Sequence, residues 1–169
     1  SEGQQTLSYS GGYAVNKDGE TVPVLLPQRT HFNLPEAGYI NFFAGTYFSG
    51  NTSFFSLYSI ERSEDGKTIT AIREISKIYG VIDSSTGLID ESKEYVYSYT
   101  DGTYSDSLPS DYKVVFDAKW INDPATINMS NRTDRVFYFE IPVNEGEFAL
   151  GSVAGSDGAY LIYLDLAAN

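Results

Sequence analysis

The sequence contains no cysteine, which excludes disulfide bonds, thiolate metal sites and cysteine nucleophiles. It contains a single histidine, His31, so a metal site built from several imidazoles is excluded by count. A serine triad would have to use His31, and no Gly-x-Ser-x-Gly motif supplies the nucleophile. We therefore interpret His31 as a loop histidine packed beside Phe32 and assign no catalytic residue.

Basic residues are also scarce, with 11 Lys and Arg against 23 Asp and Glu, which gives a net charge of −12. A field of this sign repels nucleic-acid phosphates and anionic lipid headgroups, so we expect neither as a partner. No apolar run approaches the roughly 20 residues that a membrane-spanning helix needs, so no membrane insertion is predicted. No signal-peptide pattern opens the chain, so we expect any export signal to have been removed or to lie outside this segment.

What the sequence has in excess is aromatic side chains, 15% of the chain, with 14 Tyr and 10 Phe. Aromatic residues suit pleated, half-buried surfaces, which favours β structure. The 169 residues are enough for one substantial core, so residues 1–169 are predicted to form a single domain. Short strand-like runs between turn signals predict an all-β fold, an antiparallel two-sheet sandwich or jelly roll with at most one short helix.

The dipeptide Asp-Gly occurs four times between strand-like runs, at positions 18–19, 65–66, 101–102 and 157–158. It suits a tight hairpin because the favoured turn needs positive φ at both central positions, which Gly takes freely and Asp tolerates. The first turn predicts a hairpin whose second arm, with Pro23 and Pro27, lies at a sheet edge or ends early, because proline cannot donate a ladder hydrogen bond. The second predicts a hairpin of residues 54–62 with 67–75. Residues 28–37 are interpreted as a loop.

Residues 70–82 fit two secondary structures. Ile69, Ile72, Ile75 and Tyr79 follow helical spacing, whereas the β-branched side chains and the preceding turn favour a strand. We predict a strand that continues toward residue 82, with a helix over residues 70–79 as the alternative.

The strongest strand signals lie in residues 135–169. The region around Phe139 alternates apolar and other residues, as a half-buried strand does. Residues 160–164 have no polar interruption, which predicts a central strand covered on both faces, and residues 156–158 predict a hairpin turn leading into it. The core residues predicted for this region are Phe137, Phe139, Ile141, Leu161, Ile162 and Leu164.

One face of a predicted strand supplies the candidate ligand-binding residues. Tyr95, Tyr97 and Tyr99 alternate with other residue types, so the three tyrosines share a face. With Tyr104 and Trp120 they are predicted to form a platform on which sugar rings stack, because tyrosine is rigid, apolar on its face and polar at its tip. The alternative is a cross-strand ladder or a packed core layer with the hydroxyls at its rim.

No cofactor is predicted, and calcium is the metal that remains to be weighed because it takes oxygen ligands only. Residues 101–106 and 16–20 combine acids with turn residues, but neither matches the twelve-residue EF-hand loop. We interpret both as plain hairpin turns, with a structural calcium ion as the alternative. A glycoside hydrolase needs two flanking carboxylates, and among 23 acids nothing in the sequence marks a pair.

These observations predict a non-catalytic module of an exported or cell-surface protein that binds carbohydrate or a protein partner, as in adhesion. We expect a monomeric module of a larger chain, located outside the cell or on its surface. One alternative is a structural or spacer module of a surface protein. A further alternative is the two-carboxylate glycoside hydrolase.

Overall fold

Strands form nearly all of the regular structure of the chain. The computed structural model describes residues 5–7, 12–15, 19, 21–24, 29–46, 55–121, 135–152 and 159–169, with side chains described for 19, 30–43, 55–121, 138–151 and 164–169. Within these ranges the strands are β1 Gln5–Leu7, β2 Gly12–Val15, β3 Thr21–Val24, β4 Arg29–Leu34, β5 Gly38–Thr46, β6 Phe55–Arg62, β7 Ile69–Val81, β8 Val96–Tyr99, β9 Tyr112–Asp117, β10 Arg135–Val143, β11 Gly146–Ser152 and β12 Ala159–Ala168. One 3₁₀ turn, Ala118–Ile121, follows β9.

The strands form two antiparallel sheets that pack as a sandwich, with a small extra hairpin. The larger sheet has the order β1-β4-β11-β6-β7-β8, with β9 also pairing with β7, and the smaller sheet has the order β10-β5-β12. Strands β2 and β3 pair with each other. The predicted all-β, two-sheet sandwich with at most one short helix is therefore confirmed for the described residues.

The core lies between the two sheets and draws on both. Its main members are Phe32, Leu34, Phe55, Leu57, Ile75, Ile78, Phe148 and Leu150 from the larger sheet, and Ile40, Phe42, Ile141, Val143 and Leu164 from the smaller one. The smaller sheet buries alternate residues of β5, because side chains at successive strand positions point to opposite faces. Its other face, which bears the residues between these, does not contribute to this core.

The predicted Asp-Gly turns explain two of the hairpins. Asp65–Gly66 lies between β6 and β7, where Gly66 has a φ of 75° and the carboxylate of Asp65 accepts a hydrogen bond from Ser63. Gly19, with a φ of 80°, lies between β2 and β3, and Pro23 stands on the β3 arm that pairs only with β2 among the described strands. Both hairpins are confirmed, whereas residues 157–158 lie outside the described residues.

The ambiguous stretch is a strand, and the helical alternative is wrong. β7 runs without interruption from Ile69 to Val81 and pairs with β6 through its first half. Its second half pairs with both β8 and β9. Because a strand partner accompanies β7 along its whole length, local helical spacing does not decide the structure.

Two predictions about strand placement are wrong. Residues 28–37 are not a loop, because Arg29–Leu34 forms β4, which pairs with β11 and places Phe32 and Leu34 in the core. Strand β12 is not central, because among the described strands it pairs only with β5, at the edge of the smaller sheet. It also forms no hairpin with β11, whose partners are β4 and β6.

The core residues predicted for the C-terminal region are partly confirmed. Ile141 and Leu164 are buried, whereas Phe139 is partly buried and packs against the core. The side chains of Phe137, Leu161 and Ile162 lie outside those that the structure describes.

Candidate functional site

The predicted tyrosine platform is not an open face. Tyr95, Tyr97 and Tyr99 are all buried in the core cluster. Tyr97 stands opposite Ile78 of β7, whose side chain is also buried, so this face of β8 points into the sandwich. The three rings form the packed core layer that was the alternative to a sugar-binding platform. Stacking of a sugar on them stays a prediction, and no exposed ring surface supports it.

The Tyr97 hydroxyl and the Tyr99 ring make contacts within the protein. The Tyr97 hydroxyl accepts a hydrogen bond of 2.8 Å from the backbone N–H of Asn144, and burial raises its pKa. The guanidinium carbon of Arg73 lies 3.6 Å from the centre of the Tyr99 ring, a cation–π contact. Burial raises the pKa of Tyr95 to about 12, helped by the negative charges near it. These contacts anchor β8 within the fold.

The other two predicted site residues are exposed but lie apart from the buried row. The ring centres of Tyr104 and Tyr79 are 5.8 Å apart. Tyr79 is paired with Val96 of β8, so it lies on the other face of the sheet from the buried tyrosines. Trp120 packs edge-on against Phe116 at 6.4 Å, in the 3₁₀ turn after β9. The five predicted residues therefore do not form one surface.

A different exposed face combines aromatic and polar side chains. We call it the β5 outer face and define it by Tyr39, Asn41 and Phe43 of β5, Tyr138 and Glu140 of β10, and Asp165 of β12. The register sets Glu140 and Asp165 on either side of Asn41, and Tyr138 beside Phe43. Phe42, between Asn41 and Phe43, points the other way and is fully buried. Strand alternation therefore turns this set of residues away from the core.

The aromatic part of the β5 outer face is a pair of exposed rings. Phe43 is 37% exposed and Tyr138 is 49% exposed, and their ring centres are 4.9 Å apart. The planes are tilted by 41°, within the offset arrangements that aromatic pairs prefer. The pair presents adjacent apolar surface to solvent, next to the polar row formed by Glu140, Asn41 and Asp165.

The polar part of this face is acidic and rich in hydrogen-bond acceptors. Glu140 and Asp165 are exposed, and the Oδ1 atom of Asn41 between them is buried without a hydrogen-bond partner among the described residues. Partial desolvation, the charge of Glu140, a hydrogen bond to Glu140 and the charge of Asp165 all raise the pKa of Tyr138. Partial burial and the charges of Glu91 and Glu140 raise the pKa of Tyr39. Both tyrosines therefore lie in a negative field.

The acids of the described residues do not gather into a metal site. No group of three or more His, Asp or Glu side chains in the described part of the chain is arranged to hold an ion. In the segment 101–106, which was weighed for calcium, the Asp101 carboxylate accepts hydrogen bonds from the backbone and side chain of Thr103. Most of residues 16–20 lie outside the described residues. Likewise, no helix in the described ranges is long and apolar enough to cross a bilayer.

His31 belongs to a charged cluster on the larger sheet that the sequence did not indicate. It is buried on β4, and its Nε2 contacts Oε2 of Glu147 on β11. Arg62 of β6 donates to both carboxylate oxygens of Glu147, at 2.5 and 2.7 Å. The cluster joins three neighbouring strands, and because 116 positions separate His31 from Glu147, no local motif could reveal it.

We expect His31 to make stability depend on pH. Burial and the charge of Arg62 outweigh Glu147 and lower the pKa of His31 below its ordinary value of about 6.5. The unfolded chain therefore takes up the proton first as pH falls through that value, and the folded state loses stability. The gap in unfolding free energy between the wild type and His31→Gln should shrink between about pH 7.5 and about pH 5.5 in urea titrations. A gap that widens on acidification would mean that His31 forms an ion pair with Glu147 in the folded state.

Comparison with known proteins adds no family to this description. No protein-family model matches the chain, and neither a curated protein nor a solved structure matches it. The protein is therefore classed by its fold alone, as an antiparallel two-sheet β-sandwich.

The residues of the β5 outer face were not predicted as a site. Tyr39, Asn41 and Phe43 alternate along one predicted strand, so their common face could have been read from the sequence. The partners on β10 and β12 are about 100 and 125 positions away, and only the pairing register brings them alongside.

Proposed function

We propose that this chain is a non-catalytic module of an exported or cell-surface protein and that it binds carbohydrate through the β5 outer face. The observation that carries the proposal is the exposed ring pair of Phe43 and Tyr138 directly beside the polar row of Asn41, Glu140 and Asp165. A saccharide presents an apolar face and a rim of hydroxyls, and this surface offers a partner for each.

The geometry favours weak, open binding over catalysis. The site lies on the exposed face of a sheet, so a ligand would be covered on one side only. Affinities of about mM to about µM, or roughly −4 to −8 kcal/mol, are then expected. Glu140 and Asp165 stand two strands apart, with Cα atoms about 10 Å from each other. Both acids are exposed on the open face of the sheet, so hydrolysis is kept only as an outcome of the test.

We expect Tyr138→Ala to abolish retention on a glycan array while leaving the melting temperature nearly unchanged. The substitution removes half of the exposed ring pair, and because about half of the Tyr138 surface is exposed and the residue lies outside the core cluster, it should cost the fold little. Binding of fluorescently labelled protein to the array and a thermal melt of each variant measure the two effects.

The matched control is Tyr104→Ala. Tyr104 is 43% exposed and also pairs with another aromatic ring, but it lies on the larger sheet. It should leave glycan binding intact. If Tyr104→Ala abolishes binding and Tyr138→Ala does not, the site originally predicted near β8 is the correct one. If the wild type retains no glycan, the structural or spacer module becomes the preferred function. If the protein releases free sugar from a bound glycan, the glycoside hydrolase becomes the preferred function.

A further inference from the structure

The polar row of the β5 outer face has a composition that a neutral sugar does not require. Glu140, Asn41 and Asp165 lie side by side on three neighbouring strands, and strand spacing puts each about 5 Å from the next at the Cα atoms. Both acids lie on the exposed face, so a ligand lying across β5 meets a carboxylate on each side of it.

No salt bridge within the described residues involves either carboxylate. The ion pairs recorded there join Glu147 to Arg62 and His31, and Asp101 to Arg73, all on the larger sheet side. None involves Glu140 or Asp165. Glu91 adds a third carboxylate that acts on Tyr39, at the end of the same face. Like charges held near one another repel, and a ligand cation would relieve that repulsion.

The hydrogen-bonding character of the row points to the same kind of ligand. The two carboxylates accept hydrogen bonds and donate none. A protonated amine has three donors and no acceptor, so it complements such a row better than a hydroxyl, which brings its own lone pairs. The adjacent rings of Phe43 and Tyr138 also attract a cation over their faces.

We propose that the saccharide bound at the β5 outer face carries protonated amino groups, as an oligomer of glucosamine does. The sugar rings lie against Phe43 and Tyr138, and the ammonium groups lie toward Glu140 and Asp165. Sulfated, phosphorylated and carboxylated glycans are rejected because the net charge of −12 and the local acids repel them. This inference rests on the proposed function, since it specifies the ligand class of the same site.

The test compares two oligosaccharides that differ in charge alone. Glucosamine oligomers and N-acetylglucosamine oligomers of equal length are titrated calorimetrically into the protein, at a pH below the pKa of the amine. Exposed charge pairs contribute up to about 1 kcal/mol each, so two such pairs should favour the glucosamine oligomer by roughly five- to thirtyfold. Added salt should reduce this preference, because the charges are exposed to solvent.

The decisive variant is Glu140→Gln/Asp165→Asn, which keeps the shape of the row and removes its charge. It should lose the preference for the glucosamine oligomer, so that the two oligomers bind it with equal affinity. The control, Glu64→Gln/Asp106→Asn, removes the same charge from exposed positions elsewhere and should keep the preference. A preference that survives in the first variant, or disappears equally in both, overturns the inference.

Failure of this inference is distinguishable from failure of the proposed function. If the N-acetylated oligomer binds as tightly as the glucosamine oligomer and Tyr138→Ala abolishes both, the site binds neutral sugar and only the inference falls. If neither oligomer binds and Tyr138→Ala changes nothing on the array, both fall. An oligolysine of equal charge is titrated in parallel. Its binding in place of the glucosamine oligomer, with the same dependence on Glu140 and Asp165, would identify a basic peptide as the ligand and overturn the saccharide assignment.

Discussion

Replacing Phe42 by alanine is expected to lower the free energy of unfolding by about 3–5 kcal/mol. Phe42 is fully buried on β5, the central strand of the smaller sheet. Its ring centre lies 5.7 Å from that of Phe55, which belongs to the larger sheet, and 5.1 Å from that of Phe139 on the neighbouring strand. The substitution therefore opens a cavity where the two sheets meet, and the surrounding backbone cannot close it without distorting both.

The next residue in the chain provides the control for this prediction. Phe43 has the same side chain and sits on the same strand, but it points to the opposite face and is 37% exposed. Phe43→Ala should change the unfolding free energy by less than about 1 kcal/mol, because an exposed position leaves no buried cavity. Urea titration of both variants measures the difference. Equal losses for the two variants would show that the faces of β5 are assigned the wrong way round.

Much of this fold can be predicted from short-range sequence patterns. Asp65–Gly66 predicted its hairpin because the turn itself demands a residue that accepts positive φ. The strand that continues toward residue 82 was predicted from its β-branched side chains and the preceding turn, and it is observed as β7. Such features depend on a few neighbouring residues, so they can be read without knowing which strands pair.

The position of a strand within a sheet is not encoded in the same way. Residues 160–164 were interpreted as a central strand because they are apolar, yet β12 lies at the edge of its sheet. Side chains point out of the sheet plane, whereas the hydrogen bonds that define an edge lie within it. Apolar composition therefore reports what covers the two faces of a strand and carries no information about whether each edge has a neighbour.

The candidate site shows the same division between local and distant information. The sequence placed Tyr95, Tyr97 and Tyr99 on one face of a strand, and they do share a face. It could not decide whether that face points inward or outward, because a tyrosine is apolar enough for a core and polar enough for a surface. The β5 outer face was missed because Glu140 and Asp165 reach it only through the pairing of β10 and β12 with β5.

The second large effect is expected at Asn144, in the turn between β10 and β11. Its side chain imitates a strand partner for Tyr95: Oδ1 accepts from the backbone N–H of Tyr95 at 2.8 Å, and Nδ2 donates to the Tyr95 carbonyl at 2.8 Å. Tyr95 precedes β8 and is buried, so both backbone groups are withdrawn from water. A buried group that loses its partner costs about 1–3 kcal/mol.

Asn144→Ala should therefore lower the free energy of unfolding by about 2–6 kcal/mol, since it leaves two such groups unpaired. The backbone N–H of Asn144 keeps its hydrogen bond to the Tyr97 hydroxyl, so the loss comes from the side chain alone. Glu145→Ala, at the exposed neighbouring position of the same turn, is the control and should cost less than about 0.5 kcal/mol. Urea titration gives both free energies, and amide hydrogen exchange at Tyr95 should accelerate in Asn144→Ala only. An unchanged exchange rate at Tyr95 would show that β8 is held in place without this side chain.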